Sequence, residues 1–438
     1  MRSLLRDASL SAVVAGVVAV LVSYAGPFVV VLAAARAAGV DAPTTASWVW
    51  AISIGSGAAA LGLSLWTRQP IVVAWSTPGA ALLVTSLPGH TWPDAVGAFC
   101  VAALAMTLVG ATGVFGALLA RVPAGVVAAM LAGILFPFAT GGFAAMAAVP
   151  AIVVPVLVAF FVLRRVRPRW AVLGGLAAGL AATAVTGGFR PVHAGQWLTV
   201  PQVTVPHLSL GPLIGIAVPL FVVAAASQNA PGLGVLRVSG YVPDDRRLVT
   251  TTGAVSLLLA PFGSPGVNLA AITAAICTGE EAHADRERRY VAGVACGVTY
   301  LLVGVVGGGL VAVFAALPHE LVAAVSAVAL LGALLGGIVA AVADEEHREA
   351  ALVTFAVTAG GVSIAHIGAA FWGLVLGMAV HLVLRGRLRR ATPVPADAAP
   401  AGAPVAAPDG GTDAPGTPVT RRYTRPGSRD DDGTSAQP

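Results

Sequence analysis

From its start to about residue 390 the chain alternates between apolar runs of roughly twenty residues and short clusters of charged and turn residues. An α-helix of twenty residues rises about 30 Å, the thickness of a bilayer's hydrocarbon core. Fourteen such segments can be marked, near residues 9–33, 45–66, 71–88, 95–119, 124–140, 144–163, 170–188, 212–235, 248–260, 265–279, 290–316, 320–341, 350–366 and 368–385. The pattern predicts an all-α polytopic membrane protein. An even number of crossings puts both termini on one side.

The arginines test that count. With the N-terminus cytoplasmic, the inside loops collect nearly all of them, from Arg2 and Arg6 to Arg389 and Arg390, and the outside loops hold only Arg36 and Arg190. A missed crossing would scramble so one-sided a distribution. Divided after the seventh segment, the chain gives two halves of seven, and an odd-membered repeat must insert its second copy upside down. The expected organisation is therefore a first repeat over 1–189, an outer connector over 190–211, an inverted second repeat over 212–388, and a disordered cytoplasmic tail over 389–438. The tail is rich in Pro, Ala, Gly and Asp and has no apolar periodicity.

Two apolar segments carry matching interruptions, Ser76-Thr77-Pro78-Gly79-Ala80 in the third and Gly263-Ser264-Pro265-Gly266-Val267 in the tenth. Each reads as a hydroxyl N-cap, Thr77 or Ser264, followed by proline at the first helical position and then glycine. Segments 3 and 10 are accordingly expected to be half-helices starting inside the membrane, the second rising about 21 Å from Pro265 to Gly279. Such a start turns unsatisfied N–H groups and a positive dipole end toward whatever lies there. Matched half-helices in the two halves of a transporter mark an anion site between them. The first segment of each half also has a proline after small or polar residues, in Ser23-Tyr24-Ala25-Gly26-Pro27 and Ser227-Gln228-Asn229-Ala230-Pro231.

A small anion leaving water needs fixed partners. Apart from Arg385 at the very end of the last, no arginine lies within a segment, so the donors expected are the backbone N–H groups of Gly79, Ala80, Gly266, Val267 and Asn268. Asn268, Gln228 and Asn229 are the most polar side chains within segments, placed either to bond a carboxylate or to bridge helices. Tyr24 is a candidate for the same cavity, with Phe28 and Phe262 as apolar walls. Apart from Glu320 at the very edge of the twelfth, no Asp or Glu lies inside a segment, which argues against a dedicated intramembrane proton relay.

Composition narrows the class. With 57% hydrophobic and 10% charged residues and a mean hydropathy of +0.87, the chain is no soluble domain. There is no lysine, and the basic balance comes from loop arginines, so it carries no nucleic-acid message. Cys100, Cys277 and Cys296 fall in or near apolar segments without metal-ligand spacing. His193 and His207 near Trp197, and His366, show none either. No cofactor or metal is expected. The first apolar run lacks a small-residue cleavage site and reads as a retained span. These features predict a secondary transporter for a small organic anion; an anion channel and a membrane-embedded enzyme are the alternatives, and no clustered acid, base or metal set favours the enzyme.

The stretches IVVAWSTPGAALL (71–83) and FGSPGVNLAAITAAICTGEEAHADRERRY (262–290), with SYAGPFVVV near the start and AFWGLVLG near residue 370, closely resemble the benzoate membrane transport family, the benzoate:proton symporters. The resemblance covers about residues 1–388. It implies import of benzoate or a similar aromatic carboxylate with protons across a bacterial inner membrane. It also implies the fourteen-span inverted-repeat fold of the uracil/xanthine and sulfate transporters, with substrate between spans 3 and 10. In that fold spans 1–4 and 8–11 form a core domain, and spans 5–7 and 12–14 a gate domain. The nucleobase transporters carry acids where this chain has Gln228-Asn229 and Val267-Asn268, so their proton mechanism does not carry over. Another anion or a nucleobase-like heterocycle is the alternative cargo. Related folds often dimerise, which makes a homodimer an implication of the resemblance alone.

Overall fold

A computed structural model describes residues 2–25, 27–119, 123–190, 197–362, 364 and 367–388. Gly26, Arg121, His193, His366 and the tail from residue 389 lie outside the described residues. The first part of the chain forms α1 (Leu10–Ala25), α2 (Pro27–Ala37), α3 (Ala42–Thr67), β1 (Val73–Trp75), α4 (Thr77–Ser86), α5 (Trp92–Thr112), α6 (Ala124–Ala148), α7 (Pro150–Val166) and α8 (Ala171–Thr186). The second part forms α9 (Leu210–Val238), α10 (Asp245–Leu259), β2 (Val267–Leu269), α11 (Ile272–Thr278), α12 (Tyr290–Val305), α13 (Gly307–Ala315), α14 (His319–Val342), α15 (Arg348–Ala359) and α16 (Ala369–Leu388). The succession of long helix, helix, short strand, short helix and further helices occurs twice.

Local chemistry sets many of these boundaries. Asp41 accepts the Thr44 N–H at 2.9 Å and Pro43 sits in the first turn, so α3 starts there. Thr91 and Pro93 do the same for α5, which ends at Gly113 with φ +74°. In α9, Pro231 lacks the N–H that would close the helical ladder, and the chain passes it with a π-helical turn over Ala225–Asn229 instead of breaking.

This is a helical membrane protein. Leu10–Ala37, α3, α5, α6, α9 and α14 are each long and apolar enough to cross a bilayer, and the run from Arg286 to Ala315, bent by 69°, makes a seventh. Helix length alone thus gives six or seven crossings among the described residues, not fourteen. The expected break at 141–143 is absent: α6 continues to Ala148, with Gly142 packed against the Ala327 methyl of α14, and the break falls at Pro150.

The all-α expectation fails at one place. β1 and β2 pair antiparallel, with Val73 opposite Leu269, Ala74 opposite Asn268 and Trp75 opposite Val267. This ribbon corrects the reading of both interruptions. In the first, the cap is Ser76, not Thr77: its Oγ accepts the Gly79 N–H at 2.9 Å, and α4 begins at Thr77. In the second, Ser264-Pro265-Gly266 starts no helix. Gly266 has φ +129°, its N–H turns back to Ser264 Oγ at 3.3 Å, and an extended strand follows. Helix α11 begins at Ile272 and has seven residues, rising about 10 Å instead of 21 Å. The two Pro-Gly motifs are therefore not structural counterparts, since one follows its strand and the other precedes it.

Packing interleaves the two parts. α3 and α1 pack on α12, and α10 packs on α5. The crossings are close: a Cβ on Gly57 would lie 2.7 Å from the Gly297 carbonyl oxygen, and one on Gly253 2.7 Å from the Thr107 nitrogen. A second group of helices is built on α6 against α14, with α7 on α8 and α15 on both α16 and α6. The strand ribbon belongs to the first group, and its helices face the second.

Candidate functional site

A cavity of about 740 Å³ lies where the two groups meet, within the range of about 300–1,000 Å³ usual for small-molecule sites. One side is formed by the ends of α1 and α2 at Ser23 and Pro27, by β1 and the start of α4 at Trp75 and Thr77, by the π-helical turn of α9, and by the start of α11. The other side is the α6–α14 pair, where Leu131, Leu135 and Leu330 alternate with alanine and glycine. The walls are mainly apolar.

The polar groups are few and converge. Ser23 is already engaged, donating to the Ala19 carbonyl at 3.1 Å and accepting from the Tyr300 hydroxyl at 2.8 Å. Thr77, Ser227, Gln228 and Thr273 line the cavity, and none of their side chains is hydrogen-bonded to another described group. Many helical hydroxyls elsewhere turn back to a carbonyl one turn earlier, as Thr107, Thr183 and Thr354 do, although the buried hydroxyls of Ser56, Ser86 and Thr358 are also without a partner among the described residues. Thr273 is only 7% exposed. Four polar side chains without partners, in a largely apolar cavity, are placed for a small ligand with a polar head. They come from the first half (Thr77) and the second (Ser227, Gln228, Thr273).

Behind Trp75 stands an aromatic cluster. Trp75 lies 5.0 Å from Tyr24, 6.2 Å from Phe28 and 5.7 Å from Tyr300, centroid to centroid. Phe28 meets Phe314 at 5.1 Å. These edge-on contacts fix the indole that faces the cavity.

Of the residues expected at the site, Thr77, Pro78 and Gln228 line the cavity. Gly79 and Ala80 lie behind them, buried in α4, with their N–H groups taken by Ser76 Oγ and the Ser76 carbonyl. Tyr24 backs Trp75, its hydroxyl bonded to Ser53. Asn229 is fully buried and acts as a brace: its Oδ1 accepts the Leu269 N–H at 3.0 Å and its Nδ2 donates to Asn268 Oδ1 at 3.3 Å. Ser264 is buried in the turn before β2, and the Val267 N–H goes to Ser256 Oγ at 2.8 Å. Gly266 and Asn268 border a separate void of about 20 Å³ beside Met106 and Ser256. The backbone donors expected at Gly266 and Val267 are thus engaged within the fold. Phe262 packs on Trp50 at 5.4 Å, away from the cavity.

Trp75, Ser227 and Thr273 join the site without having been singled out by sequence. Trp75 directly precedes the capping serine, and Ser227 begins the polar triplet that ends at Asn229, so both carried a signal. Thr273 is one hydroxyl in an alanine-rich run and carried none. Helix α11 starts at Ala271 without a side-chain cap, on the same cavity.

Comparison with solved structures identifies the fold. The chain superposes on the murine Solute Carrier 26 family member A9 anion transporter in its inward-facing state with a TM-score of 0.58 at 12% identity, covering 87% of this chain and 69% of that one. For the transmembrane domain of the cyanobacterial bicarbonate transporter BicA the values are 0.55 and 14%, covering 86% and 96%. Among curated proteins, the benzoate membrane transport protein of Acinetobacter baylyi is 40% identical over 384 residues, 88% of this chain and 98% of that one. The inner membrane protein YdcO of Escherichia coli is 38% identical over 377 residues, 84% and 95%. The family model described as benzoate membrane transport protein matches residues 6–383. The chain belongs to the benzoate membrane transport protein family.

Proposed function

We propose that this protein is a secondary active transporter that imports benzoate or a similar aromatic carboxylate together with protons. The carboxyl group sits among Thr77, Ser227, Gln228 and Thr273, and the ring lies between Trp75 and the leucines of α6 and α14. The observation that carries this reading is the convergence of four unpartnered polar side chains, from both halves of the chain, on one apolar cavity. Family membership and the benzoate relative support the cargo.

The cavity lies between two helix groups that pack mainly within themselves, which supports alternating access by movement of one against the other. In this reading the first group is the core, spans 1–4 and 8–11, and the second is the gate, spans 5–7 and 12–14, of a fourteen-span inverted repeat. The repeated element order and the antiparallel ribbon support that assignment. The protein resides in the bacterial inner membrane with both termini cytoplasmic, the side on which its loop arginines collect.

The test is uptake of radiolabelled benzoate into proteoliposomes with and without an inward proton gradient. Saturable uptake that rises with the gradient is expected. Similarity to a bicarbonate transporter and to an anion transporter favours one second reading, a small inorganic anion as cargo. Bicarbonate that displaces benzoate, or moves where benzoate does not, would select it.

A further inference from the structure

The cavity's polar set and the placement of charge along the chain bear on the coupled proton. We propose that the proton crosses on the substrate's own carboxyl group, so that the cavity takes the aromatic acid in its neutral form. This rests on reading the cavity as the aromatic-acid site.

Hydroxyl and carboxamide groups both donate and accept. A neutral carboxylic acid matches that capacity, with its carbonyl oxygen accepting from Thr77, Thr273 or the Gln228 amide and its O–H donating to Gln228 Oε1 or Ser227 Oγ. An ionised carboxylate is an acceptor only and leaves part of the set unused. It also lacks a strong anchor in the first turn of α4. Pro78 has no N–H there, those of Gly79 and Ala80 are held by Ser76, and Thr77 alone retains a backbone N–H without a partner among the described groups.

Among the described residues, the chain's own proton carriers stand elsewhere. Every Asp and Glu before residue 389 lies in a connecting segment or in the end turn of a helix. On the elements that line the cavity, the charged residues are Arg36 in the last turn of α2, Arg237 in that of α9, and Glu320, beside His319, in the first turn of α14. The phenols of Tyr24 and Tyr300 stand behind the wall, bonded to Ser53 and Ser23, and Cys277 of α11 is buried against α1. His381 stacks on His347 at 4.7 Å, in α16, which contributes no residue to the cavity. Arg121, His193 and His366 lie outside the described residues; an arginine keeps its proton throughout. In the proposed step a proton from external water bonds to a carboxylate oxygen, the neutral acid crosses, and the same O–H dissociates to water inside. One proton accompanies each acid, and no net charge moves.

The experiment measures KM for benzoate, as total substrate, in proteoliposomes from about pH 5.5 to 7.5, subtracting flux into protein-free liposomes. A carboxyl with a pKa near 4 is neutral in a fraction that falls tenfold per pH unit above that value. KM should therefore rise about tenfold per unit. A ring-substituted benzoate whose pKa is about one unit lower should show the same line displaced about tenfold upward. Benzamide, which keeps the neutral shape, should inhibit with a constant that does not change with pH, and benzenesulfonate, which stays ionised, should not inhibit. A KM independent of pH, a bend at one common pH for every acid, or benzenesulfonate inhibiting as strongly as benzoate would overturn the proposal. A common bend would place the proton on the protein. Benzoate flux that never saturates would instead remove the underlying reading of the cavity.

Discussion

Asn229 Oδ1 accepts the Leu269 N–H at 3.0 Å, so a side chain from the π-helical turn of α9 holds the outer edge of β2. Ser256 of α10 holds the same edge at Val267, accepting its N–H at 2.8 Å, while its one hydroxyl proton is shared between the Thr252 carbonyl at 2.7 Å and the Val267 carbonyl at 3.1 Å. A strand of three residues is too short to be stable alone, and these side chains stand in for the neighbouring strand it lacks.

Replacing Asn229 with alanine strands a buried N–H, at a cost of about 1–3 kcal/mol. Asn229→Ala should lower the thermal midpoint in detergent and reduce maximal uptake. Wild-type melting and uptake would show that the brace is dispensable.

Capping and ligand contact separate at neighbouring residues. Ser76→Ala should destabilise the protein by about 1 kcal/mol through the lost cap. Thr77→Val should leave the melting midpoint unchanged and raise KM for benzoate roughly threefold to tenfold, the worth of one hydrogen bond of about 0.5–1.5 kcal/mol. Thr273→Val should do the same. Substrate kinetics alongside a melt of each variant check both halves of the statement.

Two glycines of α3 should respond oppositely. A methyl on Gly57 would meet the Gly297 carbonyl oxygen at 2.7 Å and the Leu301 nitrogen at 2.9 Å, whereas one on Gly62 has open space. Gly57→Ala is expected to cost about 1–3 kcal/mol by overpacking. Gly62→Ala should be neutral or stabilising by up to about 1 kcal/mol. Denaturation in detergent distinguishes them.

At the start of α3, hydrogen bonds from Thr44 hold the Asp41 carboxyl below the usual range. Because the folded value is depressed, the stabilisation is complete above the unfolded value of about 3.9 and fades as pH falls through the folded one. Asp41→Asn keeps a capping oxygen without a titrating charge. Its midpoint should match wild type at neutral pH and fall less than wild type on acidification below about pH 4, as melts at both pH values would show.

Legibility in the sequence followed the range of the forces involved. Hydropathy alone places the starts of α3 and α5 about three residues late, at 45 and 95, because apolarity does not register the caps Asp41 and Thr91 that set them, whereas the break at Pro78 is readable because its cap, proline and glycine are adjacent in sequence. Ser264-Pro265-Gly266 looks alike locally, yet its outcome is decided by Ser256, Asn229 and β1, which arrive from distant parts of the chain. No capping rule sees those partners. The α6–α7 boundary failed too, since Thr140-Gly141-Gly142 stays helical and the break comes only at Pro150. At the site, Thr77 and Gln228 were visible as polar residues in apolar runs, but Asn229, equally polar, points into the fold. Side-chain direction was set by the π-helical turn, which periodicity does not announce.

The seating of Gly57 on Gly297 also bears on how the protein is made. When α3 leaves the ribosome, the surface it will bury against α12 has no occupant until roughly half a chain later. The first half must wait in the lipid with that groove open, and its tertiary structure can close only after α12 inserts. Biogenesis of this protein therefore depends on the membrane, or an insertase, sheltering a half-built molecule, and separately expressed halves should assemble only when both are present together.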